Sequence, residues 1–130
     1  MRVITGSAKG RNLVSVEGLE TRPTSQRTKE SIFNSIQFDI EGRSVLDLFA
    51  GTGQMGIEAL SRGACRCDFV DQALAAVKVV RENLRSCGLE RQAAVYQRDF
   101  LDFLKGTQEK YDLVFLDPPY ASGDLERALE

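Results

Sequence analysis

Two short stretches hold the residue types that do chemistry: Asp47-Leu48-Phe49-Ala50-Gly51-Thr52-Gly53-Gln54-Met55-Gly56 and Asp117-Pro118-Pro119-Tyr120. The first contains G-x-G-x-x-G where an apolar run gives way to a helical pattern, and its glycines let backbone N–H groups approach a ligand closely. The same spacing describes dinucleotide loops, so the neighbouring charge discriminates. A carboxylate at Asp47 would repel a pyrophosphate and attract a cationic ligand end, such as the amino and sulfonium groups of S-adenosylmethionine. Asp71, with Gln72 beside it, ends the next apolar run, where an acid accepts both hydroxyls of a ribose. Asp99 ends the run after that, placed to accept from an adenine amine, with Phe100 flanking the ring. Each acid alone also reads as a helix N-cap. Taken with the loop residues Ala50, Gly51, Thr52 and Gly53, the three acids read as a cofactor site for S-adenosyl-L-methionine.

The second stretch suits a planar amine. The lone pair of such a nitrogen is delocalised, and two acceptors gripping its N–H groups free it for in-line attack on a methyl group. The Asp117 side chain and the Pro118 carbonyl supply two acceptors, while Pro118 and Pro119 stiffen the turn that sets the attack direction. Tyr120 offers a face for an extruded base. Guanine presents adjacent N1–H and N2–H donors to a carboxylate, whereas adenine N1 is an acceptor, so Asp117 fits guanine slightly better. A plain Pro-Pro turn closing a strand is the bland alternative, set aside because an acid precedes it and an aromatic follows it.

These residues need elements to position them, and the pattern supplies strands alternating with helices. Strands are predicted over 45–49, 67–70, 93–96 and 113–116, with helices over 56–62 and 73–87 and a short helical turn over 100–104. Leu74, Val77, Val80 and Leu84 mark the inner face of the long helix, which Gly88 stops. Such alternation implies right-handed crossovers and a parallel sheet, an α/β fold with about four core strands. Ahead of it, residues 2–6 and 11–16 read as a β-hairpin turning through Ser7-Ala8-Lys9-Gly10. Thr24 or Ser25 then caps a helix with Ile32, Phe33 and Ile36 on one face, leaving Arg22, Arg27 and Lys29 outside. The organisation is an N-terminal hairpin-and-helix extension over 1–43 and a core over 44–130. Four parallel strands would leave an exposed edge, so the chain reads as a fragment of a longer protein.

Composition narrows the classes. The 130 residues are 42% hydrophobic and 28% charged, ordinary for one globular domain. No apolar run reaches the roughly 20 residues of a membrane helix, and no secretory leader is visible, so a cytoplasmic location is expected. The absence of histidine removes Ser-His-Asp chemistry and histidine-based metal hydrolysis. Cys65, Cys67 and Cys87 are odd in number and form no Cys-x-x-Cys pair, so neither a metal site nor a disulfide framework is expected. The net charge is −2, but residues 1–43 carry +2 and the remainder −4. An RNA contact would therefore come from the basic N-terminal third.

Arg2-Val3-Ile4-Thr5-Gly6, Lys9-Gly10-Arg11, Thr21-Arg22-Pro23-Thr24, Glu30-Ser31-Ile32-Phe33-Asn34, residues 47–63 and Phe115-Leu116-Asp117-Pro118-Pro119-Tyr120 together resemble the RsmD-type methyltransferases. The resemblance spans nearly the whole chain. It implies a Rossmann-like methyltransferase fold with an N-terminal β-hairpin extension, and methylation of guanine N2 in bacterial 16S rRNA, free or in the assembled small ribosomal subunit. By position it places cofactor contacts on residues 50–53, Asp71 and Asp99, and base handling on residues 117–120. Arg2, Lys9, Arg11, Arg22, Arg27 and Lys29 become phosphate contacts; a solvated charged face is their alternative. Rival readings are N6-adenine or protein-glutamine methylation and, from another class, an NAD-binding oxidoreductase on the same glycine loop.

Overall fold

The computed structural model describes residues 2–15, 26–107 and 110–116. Among them β1 (Ser44–Leu48), β2 (Arg66–Asp71), β3 (Ala93–Gln97) and β4 (Leu113–Leu116) form one parallel sheet in the order β3-β2-β1-β4. The connecting helices are α2 (Gln54–Ser61), α3 (Leu74–Ser86) and α4 (Phe100–Gly106), preceded by α1 (Gln26–Ile36). All four predicted strands are present, within two residues of the expected bounds. The tetrapeptide 117–120, Arg22 and the proposed caps Thr24 and Ser25 lie outside the described residues.

Period-two alternation splits the sheet's two faces. Val45, Cys67 and Phe69 point to one side, where Ile57, Val80, Leu84, Phe33 and Phe115 complete the larger core. Leu46, Leu48 and Val70 point to the other, under Phe100 and Phe103 of α4. Central β1 and β2 are buried on both faces, which is why they read as continuous apolar runs. Two expected core positions sit differently: Leu74 is half exposed at the open end of α3, and Ile32 lies at the rim of α1.

Val3, Ala8, Leu13, Phe33 and Ile40 join Val45, Ile57 and Phe69 in a single apolar cluster, so residues on both sides of position 43 share one core. The N-terminal stretch folds back as the sequence predicts, through the bridge Arg2↔Asn12 and the bond from Val3 N–H to the Arg11 carbonyl (3.0 Å). It does not make regular strands, because its backbone groups pair with core side chains. Glu58 accepts from Ile4 N–H (2.8 Å) and Thr5 N–H (3.1 Å), and Ser61 Oγ accepts from Ala8 N–H (2.9 Å). Gly6 makes this contact possible: a Cβ there would meet the Ser61 carbonyl oxygen, and its φ of +94° suits glycine.

Candidate functional site

The strand order reverses direction between β1 and β4, since β1 leads away to β2 and β4 returns on its far side. Ligands in open α/β sheets bind outside the carboxyl ends of the strands at such a switch point. Leu48 stands in register with Val70 and with Leu116, so the ends of β1, β2 and β4 are level. The glycine loop follows Leu48 directly. The sequence that follows Leu116 is Asp117-Pro118-Pro119-Tyr120.

The loop is strained at its entry and tied at every turn. Phe49 has φ +63°, a left-handed conformation that a bulky residue rarely adopts, and its ring packs 4.7 Å from that of Phe100. Ala50 N–H donates to the Val70 carbonyl (2.9 Å), and Gly53 N–H to the Ala50 carbonyl (2.8 Å). Gly53, at φ +81°, is the N-cap of α2 and lies against Ile57 and Val80. Gln72 is exposed, and its carbonyl accepts from Gln97 Nε2 (3.5 Å).

The acids take distinct roles. Asp71 spans the loop and the start of α3: Oδ2 accepts from Gly51 N–H (3.0 Å) and Oδ1 from Ala73 N–H (2.9 Å). A carboxylate has about four lone-pair sites, so each oxygen retains capacity for one more donor. Asp99 caps α4 through Oδ2, which accepts from Leu101 N–H (3.1 Å) and Asp102 N–H (3.4 Å). Asp47 departs from the expectation that it faces the ligand. It is 3% exposed, and Oδ2 accepts from Gly56 N–H (3.0 Å) in the first turn of α2. Backbone amides at a helix start attract a carboxylate more strongly than open space does, so Asp47 shapes the loop from beneath. Phe100 is likewise buried against Phe49, with little face left to flank a ligand ring.

Lys29 requires a correction as well. The residue assigned to the surface is fully buried: Nζ lies 3.2 Å from Glu58 Oε1 and donates to the Arg2 carbonyl (2.9 Å). Arg62 Nε completes the cluster, 2.8 Å from Glu58 Oε2, with its guanidinium over the Phe33 ring. Burial holds the Lys29 ammonium below the usual lysine range despite Glu58, whose charge and hydrogen bond pull the other way. Its long stem lies on the same helical face as Phe33, and pairing with Glu58 is what allows the charge inside. Arg2, Lys9, Arg11 and Arg27 are exposed.

Sequence reasoning missed Glu58 and Asn83, both fully buried. A signal existed: Asn83 falls on the apolar stripe of α3 with Val80 and Leu84, and a polar residue on a buried stripe must have partners. Of the thiols, Cys65 is exposed, Cys67 buried and Cys87 intermediate, all free. Burial pushes the Cys67 thiol well up, which makes it a poor nucleophile. Among the described residues no cluster of metal-ligating side chains occurs, and no helix is long and apolar enough to cross a membrane.

This sheet order, switch-point loop and set of strand-end acids define a Rossmann-like α/β fold of the methyltransferase class. A solved structure titled "Putative methyltransferase yhhF from Escherichia coli" superposes with a TM-score of 0.88 at 31% identity, covering 99% of this chain and 69% of that one. The family described as conserved hypothetical protein 95 matches residues 1–130. A Bacillus subtilis protein named "Putative rRNA methyltransferase YlbH" is 46% identical over 99% of this chain and 72% of its own length. The ribosomal RNA small subunit methyltransferase D of Haemophilus influenzae is 38% identical over 99% of this chain and 68% of its own. The chain belongs to this family, the RsmD-type methyltransferases, and spans about two thirds of the length of these relatives.

Proposed function

We propose that the protein transfers a methyl group from S-adenosylmethionine to N2 of a guanine in 16S rRNA. The observation that carries this reading is the level ending of β1, β2 and β4, in which the tied glycine loop, Asp71 and the start of the Asp-Pro-Pro-Tyr sequence follow neighbouring strand ends. The carboxylate acceptors suit the cofactor. Asp71 has acceptor capacity left on both oxygens for a ribose diol, and Asp99 binds both its helix amides through Oδ2, so Oδ1 can accept from an adenine amine. Residues 50–53 would hold the amino-acid end. The bound cofactor supplies an electrophilic methyl group.

The chain's own groups orient the nucleophile. Asp117 and the Pro118 carbonyl would accept from the guanine amine and N1–H, which pulls the lone pair out of conjugation and toward the methyl group. The prolines would hold both acceptors at a fixed angle, and Tyr120 would stack on the base. Exposed Arg2, Lys9, Arg11 and Arg27, together with Arg22, would meet phosphates at the N-terminal side, while Lys29 is committed to Glu58. Names of relatives that specify small-subunit rRNA support the choice of RNA over protein.

The test is incubation of the protein and isotopically labelled S-adenosylmethionine with undermethylated small subunits and with free 16S rRNA, followed by nucleoside mass analysis. N2-methylguanosine is expected, and Asp117→Ala abolishes it. Methylated adenosine or a methylated peptide would overturn the substrate assignment. Calorimetric binding of NAD without binding of S-adenosylhomocysteine would overturn the cofactor.

A further inference from the structure

We propose that Asn83 is a positioning residue that couples the cofactor loop to the N-terminal segment, so that cofactor and RNA bind cooperatively. The proposal rests on the function given above. It starts from a side chain whose three hydrogen bonds, two from Nδ2 and one to Oδ1, all run to other elements. Asn83 Nδ2 donates to the Thr52 carbonyl (2.9 Å) in the glycine loop and to the Val14 carbonyl (3.0 Å) in the N-terminal segment. Its Oδ1 accepts from Val14 N–H (2.8 Å). The carboxamide thus pairs with Val14 in both directions, as a ladder residue would, and spends its remaining N–H on the loop.

Neither end of this bridge is held by regular structure. Thr52 is in a turn between β1 and α2, and Val14 lies outside any strand and is 44% exposed. The Thr52 carbonyl belongs to the same peptide plane as Gly53 N–H, which donates to the Ala50 carbonyl (2.8 Å), so Asn83 and Ala50 together set the tilt of that plane and with it the shape of the loop. Val14 stands between exposed Arg11 and the stretch carrying Arg22. The middle of the bridge, by contrast, is rigid: Asn83 is fully buried between Val80 and Leu84 on a thirteen-residue helix. A cofactor that orders the loop therefore orders Val14 through one shared amide, and RNA held by the N-terminal segment orders the loop. The second ligand then meets a partly ordered site, which is positive coupling, and it must be reciprocal. An asparagine that only filled space would produce no such linkage.

A binding cycle tests this with the whole chain, S-adenosylhomocysteine and a 16S rRNA transcript as probes. Calorimetry gives the S-adenosylhomocysteine affinity with and without saturating RNA, and filter binding gives the RNA affinity with and without S-adenosylhomocysteine. In the wild type each ligand is expected to tighten the other by the same factor, roughly fivefold or more. Asn83→Ala brings that factor close to one. Val14→Pro attacks the bridge from the other side by deleting the N–H without touching the core, and has the same expected effect. Phe33→Leu, a core change that removes none of the three bonds, lowers the melting temperature and leaves the coupling intact. Mutual tightening that survives in Asn83→Ala or in Val14→Pro overturns the proposal. So does a wild type that binds both probes independently, which leaves the methyltransferase reading standing. A wild type that binds neither probe overturns both.

Discussion

At the scale of single residues, buried charge and close packing make the sharpest demands. Glu58 gathers four donors: Lys29, Arg62 and the amides of Ile4 and Thr5. Removing one partner of a buried ion pair strands the other, at a cost of about 3–5 kcal/mol. Urea unfolding of Glu58→Gln is expected to show a loss in that range, whereas Lys29→Met, which leaves Glu58 three donors, loses less. Equal losses would mean that Lys29, not Glu58, anchors the cluster. Gly56 is a second case. A Cβ there would lie 2.4 Å from Phe69 Cε1 and 2.7 Å from Cys67 Sγ, both on fully buried side chains. Overpacking of this kind costs on the order of 1–3 kcal/mol, so Gly56→Ala should melt several degrees lower. Unchanged melting would show that β2 yields easily beneath α2.

At the scale of elements, the short helix α4 separates two roles of one acid. Asp99 caps it, and loss of such a cap costs about 1 kcal/mol. Asp99→Ser keeps a capping oxygen but shortens the reach toward a ligand. Thermal melts should therefore be near wild type for Asp99→Ser and lower for Asp99→Ala. Both variants should weaken S-adenosylhomocysteine binding in calorimetry, by roughly tenfold if one charge-assisted hydrogen bond is lost. Wild-type affinity in Asp99→Ser would confine Asp99 to its cap. Periodicity made α3 and the strands legible in advance. The N-terminal stretch was legible as a turn but not as a non-strand, because its hydrogen-bond partners Glu58, Ser61 and Asn83 stand more than fifty positions away.

At the scale of the whole molecule, one face of the sheet carries an alkaline pH response. On the α4 side, Tyr111 OH donates to Asp68 Oδ2 at 2.6 Å, beside a groove of about 290 Å³ lined by Tyr96, Arg98 and Phe103. Burial first, and the Asp68 carboxylate second, raise the Tyr111 hydroxyl above its ordinary value. A group raised in the folded state contributes stability that is full below its unfolded pKa, about 10 for tyrosine, and is lost as pH climbs past it. Denaturant midpoints should therefore fall above pH about 10, and fall less steeply in Tyr111→Phe. Parallel slopes for the two proteins would show that Tyr111 does not carry the alkaline loss.

The sequence alone determined the alternation of strand and helix, the glycine loop at a strand end and the places of Asp71 at the end of β2 and Asp99 at the start of α4, because apolar periodicity and glycine spacing are local properties of the chain. The tertiary structure decided what each acid and cation faces. It turned Asp47 under the loop, drew Lys29 inside against Glu58 and set Asn83 between loop and N-terminal segment. Those outcomes depend on which distant backbone amide or countercharge lies within hydrogen-bond reach, a distance that exists only once the sheet has closed.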